Sequence, residues 1–355
     1  MHNARARRVI ETSMAALRLS ALDLVPLVSG GTSSGALRAS AELARALDRL
    51  GYTRLWYAEH HNMPGIATTT PEILIAHVAG LTSRIRIGAG GVMLPNHAPL
   101  KVAESYRLLE ALHPGRIDLG IGRAPGTDQV TAVALRRSAT RAIGAESFPE
   151  QLGELMAFED GDFPPDHPFR AIRAMPDDVP LPALWLLGSS DYSAKLAGQL
   201  GVGFAFAAHF SPDPPDEAMR AYRQGFASGG PLAQPHAILA LSVFCAPTED
   251  EATRMATSML LSFVQLRTGR PGRLPSPDEA LEHVFTREEE TVVEFYRRLV
   301  IVGTPAQCRA RIEEVVARTN ADEVMIATHA FDVAERIRSY QLLAEVFGMT
   351  CGDLV

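Results

Sequence analysis

The chain has 355 residues, 46% of them apolar and 21% charged, a composition that excludes a mainly disordered, collagen-like or disulfide-stapled protein. At roughly 150 residues per domain, this length fits two domains or one large barrel. Thirty-four Lys and Arg against 41 Asp and Glu leave a net charge of −7, so no broad electrostatic footprint exists for nucleic acid or an anionic membrane, and neither partner is expected. Cys245, Cys308 and Cys351 are odd in number and far apart, which argues against a disulfide framework or a C-x-x-C motif and fits a reducing cytoplasm. The longest apolar stretches, such as 237–246, fall well short of the roughly 20 residues of a membrane span. Residues 1–18 lack the apolar stretch of a secretory signal and read as an N-terminal extension, with 349–355 as a tail.

In chain order, short β-branched or aliphatic runs alternate with longer segments of helical spacing. Strands are expected at 19–25, 53–58, 85–91, 116–121, 183–188, 203–207, 237–245 and 322–327. Helical patterns occupy 35–50, 71–83, 99–112, 126–139, 191–200, 213–227, 249–265 and 331–346. Thr70-Pro71 supplies a capping hydroxyl and a first-turn proline, and Thr304-Pro305 repeats the device. Eight such units need parallel strands with crossover helices, which favours an α/β fold of the closed (β/α)8 TIM barrel type over an open doubly wound sheet. Residues 140–182 and 267–303 exceed normal connections and read as insertions after strands four and seven of one domain spanning 19–348.

Ligands of such a barrel sit where its strands end. After the second strand, W-Y-A-E-H-H-N sets Glu59, His60, His61 and Asn62 at the mouth. Adjacent side chains leave an extended chain on opposite sides, so one histidine is expected to face the pocket and the other to support it. An exposed polar loop is the competing reading; no H-E-x-x-H spacing gathers metal ligands, and no metal is expected. The third strand ends in Gly88, Ala89, Gly90 and Gly91, where missing side chains either admit a flat ring or mark a β-bulge. Asn96 and His97 follow in a proline-bounded loop that is expected to reach the mouth.

The fourth strand runs into G-I-G-R-A-P-G, whose glycine spacing is off by one from a dinucleotide fingerprint. Arg123 there suits a phosphate or carboxylate, with a salt bridge to Asp128 as the alternative. The fifth strand enters a helix through Gly188, Ser189, Ser190 and Asp191, an anion cradle or a plain cap. With Arg123 it makes a two-sided phosphate clamp, and His209 and Phe210 after the sixth strand add a polar and an aromatic wall. There is no G-x-S-x-G elbow or Walker motif, and both lysines, Lys101 and Lys195, fall in helical patterns, away from the strand ends where a Schiff base would form.

Together, E-H-H-N, G-A-G-G-V-M-L-P-N-H-A-P, G-R-I-D-L-G-I-G-R-A-P-G-T-D and L-L-G-S-S resemble the bacterial luciferase-like flavin-dependent monooxygenases, with similarity over roughly 18–346 that includes S-F-V-Q-L-R-T-G-R-P-G and V-G-T-P-A-Q-C. The resemblance is closest to a subgroup of single-chain luciferase-like oxidoreductases. It implies a dimeric barrel that binds reduced FMN from a separate flavin reductase and uses O2 on an organic substrate, such as a ketone, an aldehyde or an aromatic ring. It also implies His60 as the catalytic acid or base, Glu59 beside it in the active centre, and a non-prolyl cis peptide at Gly90-Gly91 under the flavin ring. Arg123 and Ser189 fall where the family binds the phosphate. Gly122, Gly188 and Tyr192 stand where luciferase itself has a cysteine, a carboxylate and a phosphate-binding threonine, so light emission is not expected. Hydride transfer with the deazaflavin F420 and non-catalytic flavin binding are the alternatives within the same superfamily.

Overall fold

The structure is a computed structural model that describes residues 17–136 and 147–349; the expectations for the N-terminal extension and most of the tail lie outside them. Its strands are β1 (Arg18–Asp23), β2 (Arg54–Tyr57), β3 (Arg86–Ala89), β4 (Val92–Met93), β5 (Ile117–Gly122), β6 (Ala183–Gly188), β7 (Gly203–Ala207), β8 (Ala237–Cys245), β9 (Val300–Gly303) and β10 (Glu323–Ala327). β1, β2, β3, β5, β6, β7, β8 and β10 pair in parallel in that order, and β10 returns to β1, which closes an eight-stranded (β/α)8 barrel. β4 resumes pairing with β5 after β3 stops, and β9 pairs with the outer half of β8.

Helices cover the outside for ordinary sequence reasons. Ser33–Leu50 starts at Thr32, whose hydroxyl accepts from Gly35 N–H, and ends at Gly51, which takes the left-handed φ of 81°. Its buried Ser40, Leu43, Ala44 and Leu47 recur at helical spacing and face the barrel. One expectation needs correction. Thr70 makes no capping hydrogen bond, although Pro71 does open its helix. The insertion after strand four carries the helix Phe148–Asp160, and the one after strand seven carries Pro277–Glu282, Arg287–Leu299 and β9. A four-residue strand directly behind a helix has too few residues to show a period of two. No helix among the described residues is long and apolar enough to cross a membrane.

Side-chain alternation decides what fills the barrel. Leu55 and Tyr57 of β2 join the outer core beneath the helices, while Arg54, Trp56 and Ala58 point inward. At the N-terminal floor, Arg54 reaches Glu323 at 2.7 Å and Asp118 at 2.8 Å. Arg86 and the Trp56 indole N–H also bind Asp118, and Ser20 and His236 bind Glu323. Trp56 and Trp185 lie edge to face above this plug, with ring centroids 5.5 Å apart. Toward the C-terminal end the inward residues shrink to Ala58, Ala205, Ala240 and Ala327, so the barrel is filled below and open above.

Removing one partner of a buried ion pair strands the other charge and typically costs ~3–5 kcal/mol. Arg54→Ala is expected to lower stability by about that much in denaturant unfolding, while Arg309→Ala, which loses an exposed pair with Glu313, changes it little. A loss below about 1 kcal/mol in Arg54→Ala would contradict the plug.

Candidate active site

The open end of the barrel holds a cavity of about 770 Å³, within the range of small-molecule and cofactor sites. On the β2 side, His60 lines it. The His60 N–H donates to Thr68 O at 3.0 Å and the His61 N–H to Gly126 O at 3.2 Å, which fixes the loop from both flanks. Glu59, 1% exposed, lies behind this wall. His61 and His97 each place Nε2 2.8 Å from Glu59 Oε1, and Met93 N–H donates to Oε2 at 2.9 Å. Burial pushes the Glu59 carboxyl up, but these hydrogen bonds and the charge of His97 outweigh it and bring it to about 2.

That arrangement corrects the placement of four residues. Glu59, His61 and His97 form a carboxylate clamp behind the cavity instead of lining it, because a buried carboxylate needs donors and the two imidazoles supply them. Asn96 also sits behind, donating to Pro125 O at 2.9 Å and accepting from Arg136 Nε at 3.1 Å.

Gly90 and Gly91 line the cavity and are joined by a cis peptide. Ala89 is fully buried beneath them. A Cβ on Gly91 would lie 2.8 Å from Gly120 O, and one on Gly120 would lie 2.1 Å from Ala89 O. The glycines are thus required by the close approach of β3 and β5 behind the wall as well as by the open space in front of it.

Opposite, Gly188, Ser189 and Ser190 line the cavity with Arg123. Ser190 occupies the cap position of the helix Asp191–Leu200, and its hydroxyl makes no capping bond; the Asp191 carboxylate accepts from the backbone of Asp191 and Tyr192, while the Ser190 hydroxyl stays free. Asp128 is taken by Thr131 and Asn62, and among the described residues Arg123 has no carboxylate partner. Instead its guanidinium lies over the Tyr192 ring, 4.3 Å from the centroid. Tyr192 does not line the cavity; it supports Arg123 from beneath.

Three imidazoles share the cavity: His60, His209 and His329. Burial pulls His60 down to about 4, His209 to about 3 and His329 to about 4, and mutual repulsion contributes to the last two. All three are therefore neutral near pH 7. Nδ1 of His60 and of His209 is buried with no hydrogen-bond partner in the protein. Phe210 packs against His209 edge to face at 4.7 Å. His329 carries a sequence signal, since it stands two residues past the last strand, at the kind of exit where ligands are expected.

A model of the luciferase-like monooxygenase family matches residues 21–323. The chain belongs to that family. The Bacillus subtilis protein YvbT, itself uncharacterised, is 44% identical over 93% of this chain and 96% of its own length. The luciferase-like monooxygenase of Escherichia coli K12 is 40% identical over 93% and 97%. The crystal structure of apo-MsnO8 superposes with a TM-score of 0.83 at 38% identity, covering 94% of this chain and 99% of that one. Two more distant structures share the fold. One is the FMN complex of the oxygenating constituent of 3,6-diketocamphane monooxygenase from Pseudomonas putida, a type II Baeyer-Villiger monooxygenase (TM-score 0.70, 19% identity, 94% of this chain and 98% of that one). The other is an F420-dependent secondary alcohol dehydrogenase with an F420-acetone adduct (TM-score 0.65, 13% identity, 94% and 99%). Like its family, this luciferase-like protein is an oxidoreductase of the monooxygenase type.

The neutral imidazoles make the fold sensitive to acid. Burial holds His60, His209 and His329 below the ordinary imidazole value of 6.5, so the unfolded chain binds more protons as pH falls from about 6.5 toward 4 and stability is lost across that window. His97, raised by Glu59, opposes them singly. The melting temperature is expected to fall between pH 7 and pH 5, with a shallower slope in His209→Asn. A melting temperature that rises on acidification would contradict the assignment.

Proposed function

We propose that this luciferase-like protein is an FMN-dependent monooxygenase, fed with reduced FMN by a separate flavin reductase, which uses O2 to oxidise a small organic substrate in the barrel mouth. The observation that carries the reading is the meeting, in one cavity, of a guanidinium without a carboxylate among the described residues, a helix start whose cap hydroxyl is free and a neutral imidazole. These residues fit the cofactor. Arg123 presents planar forked donors to a phosphate, and the Ser189-Ser190 helix start faces it with N–H groups, hydroxyls and the positive end of the dipole. Gly90 and Gly91 offer bare backbone to a flat ring.

Bound reduced FMN supplies the electrons that activate O2. The chain's own part is positioning, water exclusion and proton handling. Leu22, Leu187 and Phe206 give the cavity apolar walls, which strengthen the electrostatics inside. His60, neutral at pH 7, accepts a proton from the reactants in the cavity and returns it, while the Glu59 clamp holds the loop that carries it. A homodimer is part of the same reading: Ile73, Leu108 and Leu112 are 66%, 55% and 59% exposed on the neighbouring helices Pro71–Ala79 and Pro99–Leu112, an apolar surface suited to a second copy.

Titration with FMN, oxidised and reduced, tests the reading. Arg123→Ala is expected to weaken FMN binding roughly tenfold or more, and His60→Ala to lower turnover by about 10²–10⁴ with FMN affinity retained. Wild-type turnover is expected to show no inflection near pH 6.5. Failure to bind FMN in either redox state sinks the proposal, and tight binding of F420 in its place would assign hydride transfer. Separately, Leu108→Glu with Leu112→Glu is expected to yield monomers in sedimentation; an unchanged sedimentation coefficient would remove this surface from the dimer.

A further inference from the structure

The family segment R-T-G-R-P-G plays no part in the proposed flavin site. It forms the outer wall of the same cavity, and its arginines differ in what they hold. Arg270 is paired with Glu289 at 2.8 Å, and Arg273, just beyond, binds the Gly31 carbonyl. Arg267 closes the helix Glu249–Arg267 and lines the cavity. Its Nε donates to the Tyr296 hydroxyl at 2.9 Å, and its guanidinium carbon lies 5.7 Å from the Tyr296 ring centroid. Phe263 stacks flat on that ring, 4.0 Å away with 4° between planes. Among the described residues no carboxylate pairs with Arg267, so its terminal nitrogens are oriented yet carry no anion.

The whole cavity has the same bias. Of the described residues that line it, Arg123 and Arg267 alone bear a formal charge, and no aspartate or glutamate is among them, although the chain as a whole carries −7. A pocket of one sign in a low-dielectric wall concentrates ions of the other sign. Two separate guanidinium groups then call for two anions, and the phosphate at Arg123 accounts for one.

We propose that Arg267 is the anion site for the substrate, and that the substrate is a small organic carboxylate. Its apolar body lies against Phe263, Met259 and Leu274, which line the cavity beside Arg267, and its carboxylate receives the paired N–H groups of the guanidinium. Tyr296 is a positioning residue that holds the fork in place. This deepens the proposed function and rests on it for the assignment of the other anion to Arg123.

Calorimetry on the FMN-loaded protein tests the proposal with 3-phenylpropanoate and N-acetylmethionine, each paired with its uncharged primary amide. Wild type is expected to bind the acids roughly tenfold or more tighter than the amides. Arg267→Gln is expected to abolish the difference with FMN affinity unchanged, Arg267→Lys to keep part of it, and Tyr296→Phe to reduce it. Equal binding of acids and amides, no binding of any probe up to about 10 mM, or an acid preference that survives Arg267→Gln would overturn the inference. So would a preference lost in Arg123→Ala and kept in Arg267→Gln. If wild type does not bind FMN, the flavin reading fails, and the same titrations on the FMN-free protein still test Arg267 by the same criteria.

Discussion

The Arg54 guanidinium, held between Asp118 and Glu323, sets the floor on which the rest of the molecule stands. It ties the N-terminal ends of β2, β5 and β10 together inside the ring, and the two tryptophans above it fill the lower half of the barrel. Burying so much charge is worthwhile only when every lone pair is met, and Ser20, Arg86, His236 and the Trp56 indole complete the set. With the lower half closed, the small residues at the strand ends leave one open end. The cavity is confined there.

At that end the protein separates its charges by depth. Glu59, the carboxylate nearest His60 in sequence, is turned away from the cavity and bound by two imidazoles and a backbone N–H. What faces inward is cationic or neutral: guanidinium groups at two positions and uncharged imidazoles between apolar walls. A carboxylate among them would repel an anionic ligand, whereas one behind the wall fixes the loop geometry with less cost to the field in front. The histidine clamp and the open cradle at Ser190 are therefore complementary, one satisfying an anion within the protein and the other leaving donors for an anion from outside.

The barrel was legible in the sequence because parallel strands buried on both faces read as compact apolar runs between capped helices. His60, Gly90, Gly91, Arg123, Ser189, Ser190, His209 and Phe210 were reachable because each stands at a strand exit and each lines the cavity. Alternation separates the two histidines, and in the structure His60 lines the cavity while His61 binds Glu59 behind it. It failed for Asn96 and His97, since side-chain direction past the end of a strand is set by hydrogen-bond partners, here Pro125 O, Arg136 and Glu59. Tyr192, at the position of luciferase's phosphate-binding threonine, lies under Arg123 and does not line the cavity. Arg267 and Tyr296 were not read as site residues because they reach the cavity from a helix end and an insertion, where no strand-exit rule points.

On this reading a flavin enters the mouth with its phosphate between Arg123 and the Ser189-Ser190 helix start and its ring against Gly90-Gly91. A crystal structure of the protein soaked with FMN tests it directly. Phosphate oxygens are expected within hydrogen-bond distance of the Arg123 guanidinium and of the Ser190 side of the helix, with the ring within van der Waals contact of the Gly90-Gly91 peptide. Phosphate density elsewhere, or a cavity that stays empty at saturating FMN, would contradict it.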